Sequence, residues 1–495
     1  MGIMEDLKNL NKIVISDKKS FEIGIKYLNT FLFFFISAGT LALIMRFHHW
    51  PGDTLNISEL SYNRAFTFHG AMMMFLFAMP VIQSVFGNLL HCRADSCEVP
   101  KSQAFNQLAL ITYKLSCFFL LFSILIEPYH VGWSLYFPIE IKVENKPAML
   151  AFNSLVLLHL SSVLLGCFFF VETRRKIRMG LSLSRLPVFI QTIYLFSILT
   201  IVTAPVLLLS VGLIFIALIS PKLILSIQFS FLLDVLPKLF VYYSHPSVYL
   251  IILPAVGLMS NMFSSEVYDD EIGRDRIFHV SSLYFIGFLG LVRIVLSYVS
   301  IFFGDSLLPI KYVSSFLMDL LALPMVVLIF CWIRKLVLIR RIGRSYQIYE
   351  LYGLLSVILL VIGVITGLYL SFHPSNASLY TSYFLVAHFH SILIGGPVFA
   401  LIGGGYYVVR VQEQKVEQMR MARIAGMAVL LGYVLSFIPQ FYMGWKGVNR
   451  HMPDIAAEFK ICNQISLVGS SLMGLALIYS IGMFYQVMIT EKKRA

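Results

Sequence analysis

His388 and His390 stand two residues apart inside the apolar stretch from Tyr383 to Val409. On an α-helix, residues i and i+2 lie roughly 200° apart, so the two imidazoles must face opposite sides of one helix. Such a pair can ligate two different metal centres, one on each side, or it can be two hydrogen-bonded core histidines. Ionisable groups inside a membrane are costly and as a rule functional, which gives the ligand reading its weight. His69 lies in a second apolar run, and Arg46 closes the first one. His245 precedes Tyr249 by four residues, a spacing that puts both side chains on one helical face.

The elements that carry these residues follow from composition. With 58% hydrophobic, 14% aromatic and 13% charged residues over 495, the chain is excluded from the ordinary soluble globular proteins. About twelve apolar runs are long enough to span a bilayer, near 27–47, 64–90, 105–126, 147–171, 186–216, 224–260, 278–303, 310–339, 349–372, 379–410, 422–443 and 464–489. The expected fold is an all-α integral membrane bundle of about twelve transmembrane helices. It forms one membrane domain over 1–495, with a short cytoplasmic N-terminal tail over about 1–26 and no cleavable secretory pattern.

The net charge of +12 does not point to nucleic acid, because the basic residues fall where membrane topology places them. Arg174, Arg175, Lys176 and Arg178 follow the fourth run, Arg334, Lys335, Arg340, Arg341 and Arg344 the eighth, and Arg410, Lys415, Arg420 and Arg423 the tenth. These even-numbered exits predict an integral protein of a bacterial inner membrane with both termini cytoplasmic, in keeping with the Lys492-Lys493-Arg494 tail. His69, His388 and His390 then share one level in the outer half of the membrane. Arg46 closes span one at that level, placed to pair with a cofactor substituent or simply to snorkel to the interface. The six cysteines show no CxxC spacing and read as small apolar fillers.

Four ordered segments carry a resemblance. Tyr62-Asn63-Arg64-Ala65-Phe66-Thr67-Phe68-His69-Gly70 runs on to Met79-Pro80; His245-Pro246-Ser247-Val248-Tyr249 is followed by Ile252-Leu253-Pro254; then come Ile286-Gly287-Phe288-Leu289-Gly290 and Val386-Ala387-His388-Phe389-His390. Each alone is a weak signal. Together, in this order and over nearly the whole chain, they resemble subunit I of the haem-copper oxidases, the catalytic subunit of cytochrome c oxidase. The resemblance implies two haems. His69 and His390 match the axial ligands of a low-spin, six-coordinate haem that can only transfer electrons. His388 matches the single ligand of a high-spin haem whose other face is open, and Arg46 matches the arginine beside the low-spin haem.

The copper site departs from the family. There, one histidine of span six and an adjacent His-His pair of span seven hold copper opposite the open haem. His245 matches the first, and Tyr249 the tyrosine that becomes cross-linked to it, but the pair falls on Leu296 and Ser297. Leucine offers copper no lone pair, and a hydroxyl is a poor ligand for a couple that selects imidazole or thiolate. No histidine, cysteine or methionine lies between His279 and Met318 to replace them. The expectation is therefore that copper is absent.

Proton delivery is depleted as well. The family lysine four residues after the span-eight proline is Leu328, after Pro324, and the threonine position is Met325. The acidic entrance of the other path falls near Val99, although Asp95 and Glu98 lie close. The glutamate of span six is Ser247, a change some oxidases make together with the Tyr-Ser pair seen here in Tyr243-Ser244-His245. At the outer surface Pro439-Gln440, Gly444 and Arg450 fit the propionate-binding pattern, while His451 stands for its second arginine and Thr381 for an acidic metal ligand. Trp445 and Lys446 there suit propionates or a partner subunit. His48, His49, His91, His130, His159 and His373 read as interfacial, and Met72-Met73-Met74 and Phe31 to Phe35 as lipid-facing or packing residues.

Three functions compete. The first is a haem-binding membrane subunit resembling cytochrome c oxidase subunit I, acting in respiratory electron transfer without a functional copper centre. The second is an active terminal oxidase that reduces dioxygen to water with proton pumping. The third, a non-redox structural or transport paralogue, explains neither the ordered histidines nor Tyr249. The implied partners are subunit II-like and III-like membrane chains, cytochrome c or a similar electron donor, and an active paralogue.

Overall fold

In the computed structural model, residues 18–48, 50, 57–90, 102–126, 146–219, 248–263, 269–303, 313, 316–317, 319–372, 376–409, 416–450 and 455–494 are described. The long helices are α1 (Lys18–His48), α4 (Gln103–Ile126), α5 (Lys146–Arg178), α6 (Val188–Ile219), α8 (Asp269–Phe303), α9 (Ala322–Arg341), α10 (Ile348–Phe372), α14 (Val416–Trp445) and α15 (Lys460–Arg494). Between α6 and α8 lies α7 (Val248–Phe263). Two spans are interrupted. One consists of α2 (Glu59–Ala71), a π-helical stretch Met72–Ala78 and α3 (Val81–Leu90); the other of α12 (Tyr383–Leu393), a π-helical stretch Ile394–Val398 and α13 (Phe399–Val409), preceded by the short α11 (Asn376–Tyr380).

Eleven helices among the described residues are long and apolar enough to cross a membrane. The all-α membrane fold expected from the sequence is therefore present. The sixth run, 224–260, is represented by α7 alone, because residues 220–247 lie outside the described part. The first described helix starts at Lys18, inside the segment expected from sequence to be a tail over about 1–26. Among the described residues there is no strand, only an isolated antiparallel bridge between Ser382 and Asn449.

The two interruptions have a chemical cause. Pro80 and Pro397 lack an N–H, so the regular helical ladder cannot run through them and one extra residue is taken into the turn. Met79 N–H accordingly donates to Met74 O, five residues back, at 3.0 Å. π-Bulges of this kind recur at functional sites. Here one begins just after His69 and the other just after His390.

Side chains settle several sequence expectations. His159, read as interfacial, is instead fully buried between α5 and α6, where its Nε2 is 3.3 Å from Thr203 Oγ1. Met72 is buried, while Met73 and Met74 pack against the core. Phe31 and Phe34 are buried and Phe33 is exposed, so the Phe-rich run faces both ways. Cys117, Cys167, Cys331 and Cys462 form no disulfide. Cys92, Cys97, His49, His91, His130, His373 and His451 lie outside the described residues.

Candidate haem site

Local structure fixes α12 at its N-terminal end. Ser382 caps it, accepting from Phe384 N–H at 3.1 Å and donating to Leu379 O at 2.9 Å. The turn after α14 pairs with the same point: Tyr383 N–H donates to Val448 O and Arg450 N–H to Thr381 O, each at 3.1 Å. Gly447 at φ +84° makes that turn possible. Arg450 is thereby held against the start of the histidine-bearing helix by the Thr381 carbonyl.

Within α12, the sequence rule for i and i+2 is realised. His390 faces α2, where its ring lies 8° from parallel to that of His69 with centroids 6.4 Å apart. An imidazole nitrogen bonds a first-row metal at about 2 Å and sits roughly 1 Å from its ring centre, so two imidazoles ligating one ion from opposite sides have centres roughly 6 Å apart. The observed separation meets that requirement.

Tautomers agree with it. His69 Nδ1 is 2.8 Å from Ala38 O, and His390 Nδ1 is 2.7 Å from Val386 O. A carbonyl can only accept, so each Nδ1 carries the proton and each Nε2 keeps its lone pair for a metal. Phe389 and Phe437 lie on His390 at 4.7 Å each, and the following residue, Ser391, is hydrogen-bonded to the Tyr433 hydroxyl. The ring is held in rotation as well as in position.

His388 turns to the other side, against α10. Its Nδ1 is 2.9 Å from Thr366 Oγ1, whose own proton goes to Ile362 O at 2.7 Å. The hydroxyl therefore accepts from His388 Nδ1–H, and again Nε2 is the free ligand atom. A Cβ on Gly367 would lie 3.0 Å from His388 Cε1, so the glycine makes room for the ring.

Arg46, near the end of α1, lies beside the N-terminal end of α12. Its Nη1 donates to Asn463 Oδ1 at 3.0 Å, and its guanidinium carbon lies 5.1 Å from the centre of the Tyr383 ring. The cation is held over α12 by its bond to α15.

The copper region is only partly described. His245 lies outside the described residues, as does the side chain of Ser297. Leu296 packs against the hydrophobic core. Tyr249 is buried, and its hydroxyl donates to Leu317 O at 3.4 Å. No group of three or more His, Cys, Asp or Glu among the described residues is placed to hold a metal ion.

A cradle of two parallel imidazoles on a pair of π-bulged helices, in an all-helical membrane bundle, matches one family. The profile described as "Cytochrome C and Quinol oxidase polypeptide I" covers residues 22–472. The chain belongs to this family. Cytochrome c oxidase subunit 1 of Synechocystis sp. is 29% identical over 479 residues, which is 95% of this chain and 84% of that protein. Its counterpart from Thermostichus vulcanus is 26% identical, covering 92% and 81% respectively. A solved haem-copper terminal oxidase dimer shares the fold at a TM-score of 0.68 and 18% identity, over 96% of this chain and 84% of the solved one. This is thus a cytochrome c oxidase subunit I-like membrane chain of the respiratory oxidase family, for which haem is the implied cofactor.

Sequence reasoning passed over one residue. Arg293 sits in the apolar span Arg276–Leu296, buried, one turn from Gly290, where a Cβ would lie 3.3 Å from Tyr249 Cγ. A lone arginine inside a membrane run is itself a signal, and it was available in the sequence.

Proposed function

We propose that this chain is a haem-carrying subunit of respiratory electron transfer that holds a low-spin haem between His69 and His390 and a high-spin haem on His388, without a copper centre. The observation that carries it is the His69–His390 pair, parallel at 6.4 Å with both Nδ1 protons committed to carbonyls. The low-spin group supplies one-electron transfer when bound.

This chain's own residues do the rest. His69 and His390 would hold the low-spin group through Nε2, and their carbonyl partners keep the rings from rotating. Arg46, fixed by Asn463 and Tyr383 at the start of α12, is a permanent cation that would suit a haem carboxylate. Arg450, tethered through its backbone to Thr381, is the second outer cation suited to haem carboxylates. His388, oriented by Thr366, serves the other side of α12. Copper has no such provision, since Leu296 cannot ligate and a serine is a poor substitute for the second imidazole.

In this reading both termini are cytoplasmic, and the chain works with subunit II-like and III-like partners, with cytochrome c or a similar donor, or beside an active paralogue. A second reading, an active terminal oxidase with a role for Tyr249, draws on the curated relatives, which are named cytochrome c oxidase subunit 1. Purification in detergent, followed by iron and copper analysis and by reduced-minus-oxidised and carbon monoxide difference spectra, separates the two. Two haems per chain, one reactive with carbon monoxide, and no copper support the first reading. Stoichiometric copper overturns it in favour of the second.

A further inference from the structure

At one end of the bundle the loop between α9 and α10 is clamped by two guanidiniums. Tyr346 in that loop donates through its hydroxyl to Leu336 O at 3.2 Å, and its backbone carbonyl accepts from Arg423 Nη2 of α14 at 2.6 Å. The guanidinium carbon of Arg340, at the end of α9, lies 4.5 Å from the centre of the same ring. Cations from two spans are thereby held against one residue just ahead of α10. The carboxylate of this turn does not neutralise them: Glu350 is buried and accepts from Arg344 Nη2 at 2.5 Å and from Gln347 N–H at 2.8 Å. Among the described residues Arg340, Arg341, Arg420 and Arg423 form no ion pair. Apolar surface runs away from this point. α10 packs on both α9 and α14, and its own outward face carries Ile358 and Ile365. On α9 the exposed stripe Phe330, Ile333 and Val337 continues at helical spacing into Arg340 and Arg341; on α14 Arg420 is followed at the same spacing by Ile424, Met427 and Leu431.

We propose that this seam binds one anionic phospholipid, with its phosphate held by Arg340 and Arg423 and its acyl chains along the exposed apolar faces of α9, α10 and α14. A guanidinium carries five N–H donors in a fork that matches phosphate. Arg423 commits one of them to Tyr346 O and Arg340 meets Tyr346 through the ring face, so N–H groups of both are left for an anion. Basic residues at the ends of spans follow from topology alone. The clamp on Tyr346, which fixes two of them at one place beside an apolar seam, does not.

The test uses the full chain, purified and delipidated in detergent, with dioleoylphosphatidylglycerol as the anionic probe and dioleoylphosphatidylcholine as the zwitterionic one, bound lipid being counted by native mass spectrometry. One phosphatidylglycerol per chain is expected, bound about tenfold or more tightly than phosphatidylcholine. Arg340→Gln and Arg423→Gln should each weaken it about fivefold. Ile358→Trp, which fills the seam and leaves the charge, should weaken it by at least as much, and Arg178→Gln, which removes an exposed cation at the end of α5, should leave it unchanged. An equal loss in Arg178→Gln would reduce the attraction to net charge and overturn the inference, as would equal binding of the two lipids by the wild-type protein. Displacement of bound phosphatidylglycerol by inorganic phosphate at equal concentration would show an anion site without a lipid seam and overturn it too. Where Arg423→Gln, which loses the Tyr346 contact, fails to fold, Arg340→Gln and Ile358→Trp decide: undiminished phosphatidylglycerol binding in both overturns the inference.

Discussion

The imidazoles of His69 and His390 lie 8° from parallel with their centres 6.4 Å apart. For a low-spin ferric haem between them, parallel axial rings split the iron d-orbitals rhombically, whereas perpendicular rings give a strongly anisotropic spectrum with one very large g value. The oxidised protein is therefore expected to show a rhombic low-spin electron paramagnetic resonance signal. A strongly anisotropic signal would mean that the rings are rotated away from the arrangement held by Ala38 O and Val386 O.

Because His388 and His390 face opposite sides of α12, their losses should be separable. His390→Ala is expected to abolish the low-spin absorption band and keep carbon monoxide reactivity. His388→Ala should do the reverse. Difference spectra of the two purified variants make the comparison, and simultaneous loss of both signals in each would mean that one haem, not two, is bound through α12.

Thr366 reaches no cofactor but sets the tautomer of His388 through the 2.9 Å contact to Nδ1. Thr366→Val preserves the shape and removes the acceptor. Loss of such an orienting partner typically costs about tenfold to a hundredfold in affinity for the ligated group. Haem transfer from the variant to an apoprotein acceptor should accelerate by that order for the carbon monoxide-reactive haem alone, with the low-spin haem retained as in wild type.

Much of this architecture is legible in the sequence because membrane helices announce themselves by length and polarity, and because i, i+2 geometry alone sends His388 and His390 apart. The π-bulges after His69 and His390 are not legible: Pro80 and Pro397 mark breaks, but whether a helix kinks, ends or takes in an extra residue depends on what packs around it. His159 was misplaced for a related reason. It lies in the middle of the fourth apolar run, 147–171, where the sequence shows no partner for an imidazole, whereas Thr203, distant in sequence, supplies one in the interior. Arg293 is legible in the sequence as a charged residue inside an apolar run.

The last prediction concerns the bracket that aligns α12. A Cβ on Gly444 would lie 1.8 Å from the backbone nitrogen of Phe384, the N–H that donates to the Ser382 cap. Neither partner is a flexible side chain, so Gly444→Ala can be accommodated only by moving the end of α14 away from the start of α12. Tyr383, under Arg46, would shift first, followed by the register of both histidines. We expect a destabilisation of about 3 kcal/mol or more, the range of severe single substitutions. It should appear as a lower thermal midpoint in detergent together with loss of the low-spin spectrum. Gly474→Ala is the control: a Cβ there meets nothing within 4 Å, and alanine in a helix interior is favoured over glycine by roughly 0.5–1 kcal/mol. Equal stability of the two variants would show that the close approach of α14 to α12 is not what holds the histidine helix in place.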